Sequence, residues 1–180
     1  MINRLTSLLV ILTLIVTAST LAQNKYIGTK MCGMCHKTDK QGKQLDIWQK
    51  SNHAGAVKTL ASAKAAEIAK EKGLTKPAGE SAECLSCHAP EHDAKNVEKS
   101  FNAKEGVQCE TCHGAGSAYK TITIMKDHAK SVAAGMAEYK DDAAIEAKCK
   151  TCHNEKSPTF KGFKFEEYWG KIKHPVPKAG

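Results

Sequence analysis

The chain has little of what ordinarily builds a protein interior. Of its 180 residues only 10 are Phe, Trp or Tyr. A large aromatic core is thereby excluded, and some other apolar mass must supply what these side chains do not. Strand-forming sequence is almost absent. Thr121-Ile122-Thr123-Ile124 is the only good β-branched run, too little for a sandwich or barrel. No apolar stretch reaches the roughly 20 residues that cross a bilayer, so no stable membrane span is expected. No cysteine is spare either. All eight fall in pairs of one spacing, which leaves no free reactive thiol.

The pairs carry the chemistry. Four times the sequence reads Cys-x-x-Cys-His: Cys32, Cys35 and His36; Cys84, Cys87 and His88; Cys109, Cys112 and His113; Cys149, Cys152 and His153. This is the attachment signature of c-type haem, in which both thiols bond to the porphyrin and the next imidazole ligates iron. Two intervening residues let both sulfurs reach one porphyrin edge while the turn aims the imidazole at the metal. Zinc knuckles, redox dithiols and neighbouring disulfides are the rival readings. None needs His directly after the second Cys. With 8 His in the chain, four coincidences come at roughly four in a million, so haem attachment prevails. Four covalently bound haem c groups are expected.

Met1–Arg4 is a short basic start, Leu5–Ala18 an apolar run and Thr20-Leu21-Ala22 a small-residue cleavage region. Residues 1–22 read as a signal peptide cut near Ala22, and 23–180 as one tetrahaem cytochrome c domain. A periplasmic or otherwise exported protein follows, which agrees with covalent haem assembly outside the cytoplasm. Without Arg4, Lys plus Arg number 26 against 19 Asp plus Glu, a net +7. Eight haem propionates and four ferric centres bring this nearer +3. The lysines favour docking on acidic redox proteins by steering. Nucleic acid is the cruder reading of a basic chain, and export argues against it.

The fold class expected is mainly α: a small multihaem cytochrome c, with short helices and long loops wrapped around its haems. Ala54–Lys72 is rich in helix formers, with Val57, Leu60, Ala61, Lys64 and Ile68 along one face and Gly73 as a stop. Tyr119–Tyr139 is a second helical region, with Gly135 a weak point. Asp141-Asp142 caps a third at Ala143–Cys149, and Phe165–Lys173 forms the last. Lys95–Gly106 and Glu155–Gly162 read as loops. The proximal histidines His36, His88, His113 and His153 lie 52, 25 and 40 residues apart. That spacing suggests one compact segment for the second and third haems.

His53, His92, His128 and His174 remain. His53, His128 and His174 sit on or beside helical segments, where a returning imidazole reaches another iron. His92 follows His88 by four residues and starts on the proximal side of that porphyrin. It ligates another iron, bonds near a propionate or is simply exposed. If the other three serve separate haems, the second iron lacks an imidazole. Met125 and Met136 offer sulfur, and an open iron would bind a small molecule such as nitric oxide. No Cys-x-x-Cys-Lys occurs, which counts against nitrite reduction.

Cys32-Gly-Met-Cys35-His36-Lys37, Trp48-Gln-Lys-Ser-Asn-His53-Ala and Gly106-Val-Gln-Cys-Glu-Thr-Cys-His113-Gly-Ala-Gly116 resemble the cytochrome c-554 family. Cys149-x-x-Cys152-His153-Asn and Lys164-Phe165-Glu166-Glu167 extend the likeness over most of residues 23–180. The resemblance implies a mostly helical fold with closely packed haem pairs. It also implies three bis-histidine haems and a five-coordinate second one. By motif, His53 would ligate the third haem, His128 the first and His174 the fourth. The family protein takes electrons from hydroxylamine oxidoreductase, so a multihaem oxidoreductase is one partner class to consider. An electron-transfer relay is the leading function. A haem enzyme reducing nitric oxide or another small nitrogen oxide at the second haem is the alternative.

Overall fold

The computed structural model describes residues 23–176, so the expected signal peptide at residues 1–22 lies outside the described residues. The mainly α fold class is what is found. Ten short α-helices occur among the described residues: α1 (Thr29–Gly33), α2 (Gln44–Lys50), α3 (Asn52–Gly55), α4 (Ala63–Glu71), α5 (Ala82–His88), α6 (Cys109–His113), α7 (Ile122–Met125), α8 (His128–Ala133), α9 (Asp142–Lys150) and α10 (Phe165–Ile172). Among the described residues there is no strand, only an isolated bridge between Tyr26 and Val97.

Local chemistry sets the helix ends. Asp141 accepts the Ala144 N–H at 2.8 Å and starts α9 as expected. Gly73, at φ +68°, stops α4: its N–H donates to Lys70 O and that of Leu74 to Ala69 O, closing the last carbonyls. The helix expected over Ala54–Lys72 is broken, however. Residues 56–61 tighten into a 3-10 segment, and Ser62 turns extended to cap α4, its hydroxyl accepting from Ala65 N–H at 3.2 Å. The region Tyr119–Tyr139 is likewise split. Asp127 caps α8 through Lys130 N–H at 3.1 Å, and Gly135, at φ +101°, ends it rather than weakening its middle. The β-branched run at Thr121–Ile124 becomes α7, because no partner strand exists to pair with it.

Apolar packing is thin, as the composition requires. One cluster joins Leu60, Ala69 and Ala78, with Ala65, Leu74, Cys84 and Leu85 partly buried against it. It seats α5, and hence the second motif, on α4 and the 3-10 segments at 56–61 and 78–80. Around the third motif, burial is polar. Glu110, Gln108 and Thr29 are each about 3% exposed.

Candidate haem-binding site

Each motif forms or ends a helical turn, so its first Cys, second Cys and His fall at i, i+3 and i+4 on one face. The His36 N–H donates to Cys32 O at 3.1 Å and the His153 N–H to Cys149 O at 3.0 Å. The thiols also bring motifs together. Cys32 and Cys109 are close enough to influence one another's thiol, as are Cys87 and Cys152. Cys112 lies close enough to Cys149 for that thiol to add to the burial that pushes Cys112 up to about 11. The spatial order is therefore first, third, fourth, second. Between the segments of the second and third motifs, Thr111 Oγ1 donates to Glu91 Oε2 at 2.9 Å.

The imidazoles are held in pairs. His53 faces His153 with ring centroids 6.1 Å apart, and His113 faces His174 at 5.8 Å. Two imidazoles ligating one ion from either side, each through a bond of about 2.0–2.1 Å, put ring centres about 6 Å apart. These residues thus fit an iron held between two histidines. In this structure His53 stands against the fourth motif and His174 against the third, whereas the resemblance would give His53 to the third haem and His174 to the fourth. The physical reason is visible in the backbone. Trp48 Nε1 donates to Val107 O at 2.7 Å, and Val107 N–H donates to His53 O at 3.0 Å. Gly106, at φ +79°, leaves room for the His53 carbonyl where a Cβ would collide with it. His53 is thus docked by its main chain on the approach to the third motif while its ring meets the fourth. His174 arrives because Gln44 Nε2 donates to Pro175 O at 2.9 Å, anchoring the segment after α10 on the start of α2.

Both inner pairs suit metal binding, which requires neutral imidazole. Burial, then the neighbouring His174 and His36, pushes His113 down to about 4. Burial lowers His53 as well, with His153 adding to it, and burial alone lowers His153. The ring nitrogens not needed for iron are occupied. His88 Nδ1 donates to Ala56 O at 2.8 Å, and His36 Nδ1 faces Gln44 Oε1 at 3.3 Å. Such bonds fix the tautomer that presents Nε2 to a metal. Beside His153 a groove of about 600 Å³ is lined by Phe160, Phe163, Lys150 and Lys156 among others. That volume lies within the roughly 300–1,000 Å³ usual for cofactor sites.

Two histidines stand apart. His128 Nε2, the atom that would bind iron, donates to Glu138 Oε1 at 2.9 Å, and the side chain is 67% exposed. His92 Nδ1 donates to Ala89 O at 3.1 Å within its own turn. Among the described residues neither ring packs on another imidazole, and the same holds for His36 and His88.

Sequence reasoning passed over the residues that seat the motifs. Glu110 accepts from Ile27 N–H at 2.9 and 3.1 Å, Gly28 N–H at 2.8 Å and Gly116 N–H at 2.7 Å. Gln108 Oε1 accepts from Thr29 N–H and Oγ1, each at 3.2 Å. Tyr119 Oη donates to Gly114 O at 2.7 Å and Tyr139 Oη to Cys112 O at 2.7 Å. An acidic residue lodged between the two cysteines of one motif was the available signal.

The profile of a family described as "Cytochrome c554 and c-prime" matches residues 31–114, a span that holds the first three motifs. Cytochrome c-554 of Nitrosomonas europaea is 29% identical over 161 residues, covering 79% of this chain. The chain spans 64% of that curated relative's length. No solved structure matches. Motif, helical fold and sequence likeness together make the chain similar to the cytochrome c-554 family.

Proposed function

We propose that this protein is an exported tetrahaem electron carrier of the periplasm or an equivalent compartment. Haem c is bound at Cys32/Cys35, Cys84/Cys87, Cys109/Cys112 and Cys149/Cys152. His36, His88, His113 and His153 are the proximal ligands. The observation that carries the reading is the pair of facing imidazoles, His53–His153 at 6.1 Å and His113–His174 at 5.8 Å. Two imidazoles close an iron to substrate while leaving one-electron exchange open. The thiol contacts favour a continuous path in the order first, third, fourth, second. By the resemblance, His128 would hold the first iron once freed from Glu138, and the second iron would then keep an open side.

When bound, haem supplies the one-electron iron couple. The chain's residues hold it rigidly, so that little rearrangement accompanies each transfer, and the basic surface steers acidic redox partners. A multihaem oxidoreductase is one suitable donor class. In the second reading the open second iron takes nitric oxide. It is favoured by His88, whose Nδ1 is anchored on Ala56 O while no imidazole faces its ring among the described residues.

Electron paramagnetic resonance and intact mass of the oxidised, purified protein test both. The expected result is four haems, three low-spin and one high-spin, with the high-spin signal shifting on addition of nitric oxide. A mass carrying fewer than four haems overturns the tetrahaem reading. Four low-spin haems overturn the open site. A mature chain starting near Gln23 is expected from export.

A further inference from the structure

The carboxylate between Cys109 and Cys112 is the strongest feature that the relay reading leaves unused. Glu110 is 3% exposed, and among the described residues no ion pair includes it. Its contacts are instead donations from three main-chain N–H groups, those of Ile27, Gly28 and Gly116, at 2.7–3.1 Å. Bonds of this kind hold a carboxylate in place without a countercharge. Two of the three donors belong to the segment that leads into α1 and Cys32. The carboxylate therefore clamps the first motif to the third, with Gln108 bonding Thr29 alongside.

Its field reaches the same two motifs. Glu110 opposes loss of the proton from Tyr26, Tyr119 and Glu91, which surround them. The fourth motif lies in a different field. It carries Lys150 between its two cysteines, where the third motif carries Glu110, and Lys150 pairs with Glu146 at 2.7 Å.

We infer that Glu110 is a positioning residue that sets the reduction potential of the first–third haem pair, holding the two sites together and biasing both irons toward ferric. A fixed negative charge beside iron stabilises the more positive oxidation state, and low dielectric strengthens the effect. With haem held at Cys109/Cys112 by His113 and at Cys149/Cys152 by His153, an electron would then run downhill from the third site to the fourth. One ferrous iron at the third site would become ferric and one ferric iron at the fourth ferrous. No bond or proton changes. A one-electron donor protein refills the first–third pair, and an acceptor drains the other.

The inference rests on the tetrahaem reading, and potentiometric titration of the holoprotein separates the two. Haem count by mass and the low-spin signals test the reading itself. With four haems present, Glu110→Gln is expected to shift the third haem's ferric–ferrous equilibrium about tenfold toward ferrous, which is 59 mV upward for one electron. Gln108→Ala, which loosens the same clamp without removing charge, is expected to shift it less than twofold. Four haems with unchanged potentials in Glu110→Gln overturn the inference. An equal shift in Gln108→Ala also overturns it, since loosening alone would then account for the effect. Should the amide at 110 prevent folding, by opposing its N–H to that of Gly28, haem-resolved titration of the unmodified protein decides. The third haem is expected to reduce after the fourth, and the reverse order sinks the assignment.

Discussion

Around Cys84–His88 the neighbours are Leu60, Ala69, Ala78 and Leu85, whereas around Cys109–His113 they are Glu110, Gln108, Thr29 and the Tyr119 hydroxyl. The two motifs share a spelling and almost nothing else. The second is seated by area removed from water, a non-directional force that tolerates small shifts. The third is seated by buried hydrogen bonds, which fail abruptly when one partner is lost. The third motif also neighbours two others, at Cys32 and Cys149, as the fourth neighbours the third and second. A directional seat suits a site in the interior of that order. The apolar seat serves a terminus of the path, next to Cys152 alone.

The comparison is broken most severely from the apolar side. Leu60→Ala empties the centre of the only apolar cluster among the described residues and is expected to cost about 2–4 kcal/mol in thermal unfolding of the holoprotein. Haem spectra of the first and third sites should persist until the transition. If those sites lose low-spin signals first, the two seats are not separable.

Gln108→Ala strikes the polar seat. It deletes acceptors for Thr29 N–H and Oγ1 and the donation of Nε2 to Asn102 O at 2.8 Å. About 1–3 kcal/mol is expected to be lost, since Thr29 is left buried and unpaired. Amide hydrogen exchange should rise at Ile27–Cys32 and stay unchanged at 82–88; a uniform rise would contradict the division.

The smallest effect sharpens the comparison at its join. Glu91 is buried and accepts from Thr111 across from the second motif's segment to the third. Burial is the main cause that raises its carboxyl above the ordinary 4.5. The folded protein then binds the proton more tightly than the unfolded chain. Stability from this group is full below 4.5 and is lost as pH rises through the raised value. Glu91→Gln is expected to remove that fall. Melting temperatures of the two proteins, followed between about pH 4 and 7, should diverge with the variant gaining toward neutral pH. Parallel curves would show that Glu91 carries no proton on folding.

Much of this was legible in the chain itself. The helical class, the Asp141 cap, the Gly73 stop and α10 follow from local chemistry, which acts over one or two turns. The breaks at Ser62 and Asp127 were missed because helix-forming composition outweighed single hydroxyl and carboxylate caps. The pairing of His53 with His153 was not readable either. It depends on the Trp48–Val107–His53 main-chain contacts, whose partners lie 59 and 54 residues apart in the chain. The motif-to-motif order was hidden for the same reason: chain spacing ranks neighbours by sequence, while the clamp at Glu110 joins residues more than 80 positions apart.

The anchoring of Pro175 on Gln44 has a consequence for biogenesis. His174 meets a ring that entered the polypeptide 61 residues earlier. On the proposed haem reading, a chain ended before α10 would lack the imidazole that stands against His113. Its iron would be open to exogenous ligands, and its colour would differ from that of the finished protein.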